Sequence, residues 1–262
     1  MVFGLSMRRY WLDINLQIGE QLVIDKDLFH HIFDVCRVGK DQHFELLNSS
    51  GQGFLVHVDT IEKKRATVFV VEVRKIPELK YPHIHLFMSM PKFSTLESVM
   101  EKAVEMGVHS IHPFYSEFSF VKSMQEKDLQ HKQERWQKII VSATQQSGRG
   151  ELMKLSDPFA WKDFSQKINQ LAIDQCLFFY EGESALNAKQ AIAQFKEKQK
   201  DKPIKNIGLV IGSEGGFSTS EIRGLEELGL SPVTLGSQVL RVETACLTGL
   251  SILKYEFDLM EA

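Results

Sequence analysis

The chain has 262 residues, of which 43% are hydrophobic and 25% charged, and its formal net charge is −3 at pH 7. This length suffices for two compact domains, and the near-neutral charge means that any nucleic-acid binding must rely on local basic patches. The three cysteines, Cys36, Cys176 and Cys246, are widely spaced without a CxxC motif, which argues against a disulfide framework or a cysteine zinc site. No apolar run reaches about 18 residues, so the sequence predicts no membrane span.

The first part of the chain has the pattern of a small β domain. Short runs of β-type residues predict strands at 21–24, 43–47, 53–61 and 66–73, and a helix is predicted at 28–35. We assign residues 1–74 to this domain, with 1–6 as a candidate leader. Two prolines and few apolar residues indicate a linker at 75–82.

From residue 83 onward, predicted strands and helices alternate, which is typical of a parallel α/β sheet, and we assign 83–262 to this second domain. The predicted strands are 84–89, 110–113, 175–180, 207–211 and 233–235. The predicted helices are 95–106, 129–146, 185–200, 219–228 and 243–257. Ser94 with Glu97, and Ser218 with Glu221, have the spacing of capping boxes at two helix starts.

The most informative stretch is Ile-Gly-Ser-Glu-Gly-Gly-Phe-Ser at 211–218, where a predicted strand meets glycines and then a helix. Glycine lets a backbone approach a ligand closely, and ligands often bind at helix N-termini. The spacing fits neither GxxxxGK[ST], GxGxxG nor GxSxG. A single strand–glycine–helix turn is as well explained by a structural connection as by a ligand site. A second turn at Leu235 and Gly236, and a helix opening at 241–244, favour a ligand site.

Three blocks of the chain share their residue types and order with one known family. They are 211–218 with 235–245; 134–149, which runs from ERWQKII to ATQQSGR; and MPK at 90–92 with EKAVEMGV at 101–108. A weaker match covers MRRY at 7–10, HH at 30–31 and CR at 36–37. Together these blocks resemble the RsmE family of the SPOUT superfamily, which methylates N3 of a uridine in 16S ribosomal RNA. The resemblance covers essentially the whole chain.

The resemblance implies a trefoil-knotted, parallel-sheet methyltransferase domain and a small N-terminal PUA-like β-barrel that binds RNA. It implies S-adenosylmethionine as the cofactor, 16S rRNA within the small ribosomal subunit as the partner, and a homodimer. Three places depart from the family pattern. Ser213 stands where the family usually has proline, and Val242 replaces a common threonine. The family often has a VLR run near Arg37, where this chain reads DVCR at 34–37 and keeps only the basic residue. Because the glycines are kept, we expect the loop to survive.

The resemblance also implies a set of site residues around the glycine turns. The predicted cofactor-binding residues are Ile211, Gly212, Glu214, Gly215, Gly216, Leu235, Gly236, Val239, Leu240, Arg241, Thr244 and Ala245. Uridine N3 carries a proton at neutral pH, so its methylation requires proton removal or stabilisation of the uracil anion. Arg241 is the candidate for stabilising the anion, and Glu243 is the weaker candidate, as base or as orienter of Arg241. A simple ion pair at the helix entrance is the alternative.

The RNA-binding candidates are Arg8, Arg9, Arg37 and Arg149, with ordinary solvated arginines as the alternative. Gly148 has the position of a helix C-cap, which accounts for part of the block that ends at Arg149. Glu181 follows a predicted strand at a place where ligand crevices form in α/β sheets, although a surface turn explains it equally well. The histidine pairs at 30–31 and 83–85 lack the spacing or the third ligand of a metal site, so we predict no metal.

Other interpretations stay open at this point. One alternative is a different SPOUT enzyme that acts on tRNA or on a ribose 2′-hydroxyl. The other is a catalytically inactive RNA-binding protein of ribosome assembly. The apolar stripe at 245–253 is either a dimer face or ordinary core. Residues 1–7 lack the apolar segment of a signal peptide, which favours a cytoplasmic location.

Overall fold

The structure, a computed structural model, describes residues 7–182, 186–198, 200 and 202–260. The candidate leader at 1–6 lies outside these residues. The chain forms two compact units, of which the first extends to Glu78 and takes in Val141–Leu152. The second unit comprises Leu79–Ile140 and the chain from Met153 onward. In the described part of the chain, no helix is long and apolar enough to cross a membrane.

The first unit contains a five-stranded sheet, in the order β1-β3-β4-β5-β2, within its described residues. Its elements are β1 (Arg9–Trp11), β2 (Gln21–Asp25), α1 (Lys26–Phe29), a π-helix (His30–Val35), β3 (His43–Leu47), β4 (Gln52–Ile61) and β5 (Arg65–Lys75). Much of β4 and β5 alternates between buried and more exposed residues, as in a sheet with one face on a core. Bulges in the β4–β5 pair curl the sheet around a core that includes Phe29, Phe44 and Phe54.

The second unit is built on an eight-stranded parallel sheet whose main strand order is β11-β13-β10-β12-β6-β7-β8, with β9 paired to β7. Its strands are β6 (His83–Ser89), β7 (Ser110–Tyr115), β8 (Lys154–Leu155), β9 (Phe159–Ala160), β10 (Gln175–Phe179), β11 (Leu186–Asn187), β12 (Asn206–Ile211) and β13 (Pro232–Thr234). Its α-helices are α2 (Phe93–Glu105), α3 (Glu126–Ser147), α4 (Phe164–Gln170), α5 (Ala188–Lys198), α6 (Thr219–Glu227) and α7 (Val242–Glu256), of which α3 ends in the first unit. The prediction of an α/β fold with a parallel sheet is confirmed.

The central strands are apolar and buried on both faces, which explains why the sequence pattern found them. In β12, every residue after Asn206 is buried, and the same holds for β6 after His83. The strand order places β13, β10, β12, β6 and β7 side by side. The loops that follow these strands therefore share the carboxyl edge of the sheet, where open α/β sheets bind ligands.

The two predicted capping boxes had different outcomes. The Ser218–Glu221 box is confirmed: Ser218 Oγ accepts the Glu221 N–H at 3.4 Å, and Glu221 Oε2 accepts the Ser218 N–H at 2.9 Å. The Ser94–Glu97 box is wrong, because α2 begins at Phe93 without a side-chain cap. Glu214, from the distant glycine loop, accepts the backbone N–H of the residue before that helix, Lys92, at 3.2 Å.

Several short elements escaped the sequence analysis because two or three residues carry no readable periodicity. They are β1, β8, β9 and β11. The seven-residue helix α4 was also missed. Leu186 and Asn187, predicted as helical, form β11, and α5 begins only at Ala188. Residues 185 and 199 of that predicted helix lie outside the described residues.

Candidate active site

Three loops at the carboxyl edge of the second unit line a cavity that is partly open to solvent. They follow β10, β12 and β13, which are neighbours in the sheet. Its lining includes seven of the predicted cofactor residues: Ile211, Gly212, Gly216, Leu235, Gly236, Leu240 and Ala245. The two glycine turns thus meet at one cavity, together with Glu181 from the loop after β10.

The glycines allow the loops to approach one another more closely than side chains would. Gly216 has φ +69°, and a Cβ at this position would lie 2.7 Å from Glu181 Oε1. A Cβ on Gly212 would lie 3.0 Å from Gly216 Cα. Any side chain at these two positions would therefore push atoms into the cavity or distort its wall.

Both turns are fixed by local hydrogen bonds. In the first, Gly216 donates its N–H to Ser213 O at 2.9 Å, and the Ser213 hydroxyl donates to Phe118 O at 2.6 Å. In the second, the Thr234 hydroxyl accepts the Gly236 N–H at 3.1 Å. Ser213, the residue that replaces the family's proline, thus contributes a side-chain anchor, and the loop keeps its turn.

A second, wider cleft adjoins the cavity. It is lined by Lys92, Thr95, Glu181, Ser213, Glu214, Gly216, Val239, Leu240, Arg241, Val242 and Glu243. The cavity and the cleft share Glu181, Ser213, Gly216, Leu240 and Val242. The cavity and the cleft therefore adjoin at these residues.

The predicted catalytic pair lies in the cleft rather than in the cavity. Arg241 is exposed at the N-cap of α7, and Glu243 is half-buried in the first turn of that helix. In the described part of the chain no ion pair joins these two residues, and none neutralises the Arg241 guanidinium. A positive charge is therefore available inside the cleft.

The remaining predicted cofactor residues are divided between the cleft and other surroundings. Glu214 and Val239 line the cleft together with Arg241. Gly215 packs against Phe118: a Cβ added at Gly215 would lie 2.8 Å from the Phe118 Cβ. Thr244 is exposed in the first turn of α7. A role for Gly215 and Thr244 in cofactor binding stays a prediction.

A buried polar network supports the wall of the site and was not found by the sequence analysis. Glu221, which caps α6, is 2% exposed and also accepts the Glu117 N–H at 2.7 Å, which ties the loop after β7 to the glycine loop. The hydroxyls of Ser89, Ser116 and Ser119 are hydrogen-bonded together beneath this loop, and all three residues are buried. The network joins β6, the loop after β7 and α6, which are far apart in sequence, so no local motif reveals it.

The predicted RNA-binding arginines of the first unit differ in their surroundings. Arg9 Nε donates to Glu45 Oε2 at 3.1 Å, and Glu45, which is 1% exposed, also accepts two hydrogen bonds from Arg74 at 2.6 and 2.9 Å. Arg8 and Arg37 are exposed. The Arg149 side chain is buried, and its Nη2 lies 4.0 Å from Glu151 Oε1. Burial lowers the pKa of the Arg149 guanidinium to about 10. RNA contacts by all four predicted arginines stay predictions.

Buried histidines lie along β6 and β7. His85 Nδ1 and His112 Nε2 each lie 2.7 Å from Ser110 Oγ. Burial lowers the pKa of both histidines, that of His112 to about 3, so both are neutral at pH 7. Over the described residues, no cluster of three or more His, Cys, Asp or Glu side chains is arranged to hold a metal ion.

Comparison with known proteins identifies the family to which this chain belongs. A family model described as an RNA methyltransferase domain matches residues 77–254. The ribosomal RNA small subunit methyltransferase E of Aquifex aeolicus is 30% identical over 239 residues, which cover 90% of this chain and 94% of that protein. The chain belongs to the ribosomal RNA small subunit methyltransferase E family. The resemblance to the RsmE family that the sequence motifs indicated is thereby confirmed.

Other members of the family align with nearly the full chain. The Bacillus subtilis protein of the same name is 27% identical over 260 residues, covering 97% of this chain and 98% of its own length. A solved methyltransferase structure from Legionella pneumophila, in complex with the bound cofactor SAM, is 27% identical and superposes with a TM-score of 0.80. That match covers 95% of this chain and 98% of the other, so the family fold extends over both units.

Proposed function

We propose that this protein transfers a methyl group from S-adenosylmethionine to N3 of a uridine in 16S rRNA of the small ribosomal subunit. The observation that carries the proposal is the pair of adjoining cavities at the carboxyl edge of the sheet. One is narrow and lined by glycine turns, and the other is wide and contains Arg241. Membership of a family of ribosomal RNA methyltransferases supplies the reaction and the substrate class.

The residues that line the narrow cavity suit the chemistry of S-adenosylmethionine. Leu235 and Leu240 supply apolar surface for the adenine, and the backbone of Gly236 supplies polar groups beside it. Gly212 and Gly216 line the cavity with backbone atoms rather than side chains, so the ribose and amino-acid parts can lie against the loop backbone. When bound, this cofactor supplies a methyl group that its sulfonium already activates.

The protein's own contribution is to orient the uridine and to stabilise the charge that develops on it. Arg241 holds a permanent positive charge in the cleft, where it stabilises the uracil anion. N3 lies on the Watson–Crick edge, so the uridine must be unpaired when it enters. The exposed arginines Arg8 and Arg37 of the first unit are proposed to hold the RNA through its phosphates.

The finer features of the fold belong to the same proposal. We propose that the methyltransferase domain assigned from the sequence, 83–262, is trefoil-knotted. In support, the last strand, β13, is inserted between the earlier strands β11 and β10, and α7 then packs against α2. The curled sheet of the first unit, with 1–74 as the domain and 75–82 as the linker, is proposed to be PUA-like.

A homodimer is also proposed, through the outer face of α7. The apolar stripe predicted at 245–253 is partly core, because Cys246, Gly249, Leu250 and Leu253 are buried within the unit. Tyr255 and Thr244 remain exposed on the same helix, so the outer face is the surface available to a second copy. This arrangement would operate in the cytoplasm, where ribosomal subunits are assembled.

The decisive experiment is to incubate the protein with labelled S-adenosylmethionine and small ribosomal subunits that lack this methylation, and then to identify the modified nucleoside by mass spectrometry. We expect N3-methyluridine in 16S rRNA. Label in tRNA or on a ribose 2′-hydroxyl would replace the uridine N3 assignment with another SPOUT activity. Cofactor binding without label in any RNA would instead favour an inactive assembly protein.

A further inference from the structure

The boundary between the two cavities has a distinctive chemistry. Five residues line both the glycine-walled cavity and the wide cleft, and within the described residues only Glu181 among them has an ionisable side chain. The other four contribute a hydroxyl, a glycine and two aliphatic side chains. Methyl transfer must occur where a ligand of the cavity meets a ligand of the cleft, so a carboxylate stands at that point.

The position of Glu181 follows from the fold and from Gly216. The residue comes two positions after the end of β10, whose neighbours in the sheet are β12 and β13. Its Oε1 lies 2.7 Å from where a Cβ of Gly216 would be, so the carboxylate rests against the glycine backbone. Over the described part of the chain its carboxylate has no hydrogen-bond or ion-pair partner. Its lone pairs are therefore available to a ligand.

The other carboxylates of the cleft are placed less well to receive a proton from the reacting base. Glu214 Oε1 accepts hydrogen bonds from the Lys92 N–H at 3.2 Å and from the Thr95 hydroxyl at 3.3 Å, so it is engaged at the start of α2. Glu243 lines the cleft but not the cavity. Among the carboxylates of the residues that the structure describes, only Glu181 borders both the cavity and the cleft.

We propose that Glu181 is the general base that accepts the N3 proton of the target uridine. This inference rests on the proposed function and assigns a role within it. The N3–H bond breaks and its proton passes to a carboxylate oxygen of Glu181. The N3 electron pair forms a bond to the methyl carbon, and the bond between that carbon and sulfur breaks with its electrons remaining on sulfur. Arg241 stabilises the anionic uracil during this transfer, and the products are N3-methyluridine, a neutral thioether and protonated Glu181.

The same carboxylate gives a reason for choosing uridine over cytidine. An ionised carboxylate is only an acceptor, so it pairs with the N3–H of uracil. Cytosine N3 carries a lone pair and no proton, and it would face the carboxylate with acceptor against acceptor. Glu181 therefore serves both recognition and proton transfer.

The test compares Glu181→Gln with Glu181→Asp, Glu243→Gln and Glu227→Gln in the full-length protein. Glu227 is an exposed glutamate on α6 that lines neither cavity, so it is the matched control. Single-turnover methylation of undermethylated small subunits is measured across a pH series. Binding of S-adenosylhomocysteine is measured separately by calorimetry, and folding by thermal denaturation.

We expect Glu181→Gln to slow methyl transfer by about 10²- to 10⁴-fold near neutral pH, the usual contribution of a positioned base. Its rate should then rise about tenfold per pH unit, because solvent must ionise the uridine in place of the carboxylate. The wild-type protein, Glu181→Asp and Glu227→Gln should show no such alkaline rise, and Glu181→Asp should be slower at every pH. Affinity for S-adenosylhomocysteine should change by less than about threefold in all variants, since the proton acceptor acts on the uridine.

Three outcomes would overturn the assignment. They are a wild-type rate in Glu181→Gln, a slow rate whose pH profile matches that of the wild type, and an alkaline rise in Glu243→Gln instead. Each of these leaves N3-methyluridine as the wild-type product, and so leaves the proposed function standing. Absence of N3-methyluridine from the wild-type reaction would reject the proposed function and, with it, the role of Glu181.

Discussion

Replacing Gly216 with alanine should disturb the cofactor cavity in a way that a matched glycine elsewhere does not. Gly216 and Gly229 both have left-handed backbones, with φ of +69° and +79°. A Cβ at Gly229 would meet no atom within 4 Å, whereas a Cβ at Gly216 would lie 2.7 Å from Glu181 Oε1. Gly229→Ala therefore measures backbone strain alone, and Gly216→Ala adds a collision inside the site.

The two contributions have different sizes and different readouts. A left-handed backbone costs an L-residue about 1–2 kcal/mol, so both variants should lose about that much free energy of unfolding. For a domain of this size the melting temperature should fall by roughly 2–8 °C. The collision at Gly216 moves a flexible, exposed carboxylate, which affects stability little but changes the cavity wall. Cofactor affinity should therefore fall about 10- to 100-fold, or about 1.4–2.8 kcal/mol, in Gly216→Ala only.

Thermal denaturation and calorimetric titration with S-adenosylmethionine separate the two effects. The expected result is a similar loss of melting temperature in both variants, with weakened binding confined to Gly216→Ala. Tight binding by Gly216→Ala would mean that Gly216 does not line the cofactor site. Equal loss of affinity in Gly229→Ala would mean that backbone strain, rather than the contact with Glu181, is responsible.

Three further predictions concern other parts of the molecule. Arg241→Ala should reduce single-turnover methylation by about 10²- to 10³-fold while leaving affinity for S-adenosylhomocysteine nearly unchanged, because Arg241 lines the cleft and not the cavity. Equal losses in a kinetic and calorimetric comparison would refute its role. Arg9→Ala should lower the free energy of unfolding by about 2 kcal/mol, because buried Glu45 loses a charged partner, whereas Arg8→Ala should leave urea denaturation unchanged. A loss of stability in neither variant would contradict the structural role of Arg9. Burial lowers the His112 pKa from 6.5 to about 3, so below pH 6.5 the unfolded chain binds a proton that the folded chain does not. Stability should then decline by up to about 1.4 kcal/mol per pH unit as the pH falls below 6.5, and His112→Phe should flatten this slope in urea titrations.

The sequence was informative wherever structure depends on neighbouring residues. Strand β12 was predicted because a short apolar run is enough to specify a strand buried on both faces. The Ser218–Glu221 box was predicted because both partners lie within one helical turn. The prediction of the Ser94–Glu97 box was wrong for the opposite reason. The backbone N–H of Lys92, just before α2, donates a hydrogen bond to Glu214, which lies 122 positions further along the chain. Glu97 instead accepts two hydrogen bonds from Arg135 at 2.7 Å.

The arrangement of the candidate site was less predictable than its residues. Motifs indicated both glycine turns and Arg241, but they left Glu181 undecided between a ligand crevice and a surface turn. The difference depends on strand order. Insertion of β13 beside β10 brings the second glycine turn next to the loop that contains Glu181, and β12 brings the first turn to its other side. Local periodicity contains no information about which strands become neighbours.

This topology also couples the two halves of the proposed reaction. Gly216 and Glu181 border both cavities, and each limits the space that the other can occupy. A cofactor bound in the cavity would therefore restrict the carboxylate that faces the uridine, and a uridine in the cleft would restrict it from the other side. The first ligand to bind restricts the Glu181 side chain and bears the loss of its conformational entropy. The second ligand then finds the side chain already ordered, so its own binding costs less conformational entropy. If Glu181 acts as proposed, we expect cofactor and RNA to bind cooperatively through the contact between Gly216 and Glu181.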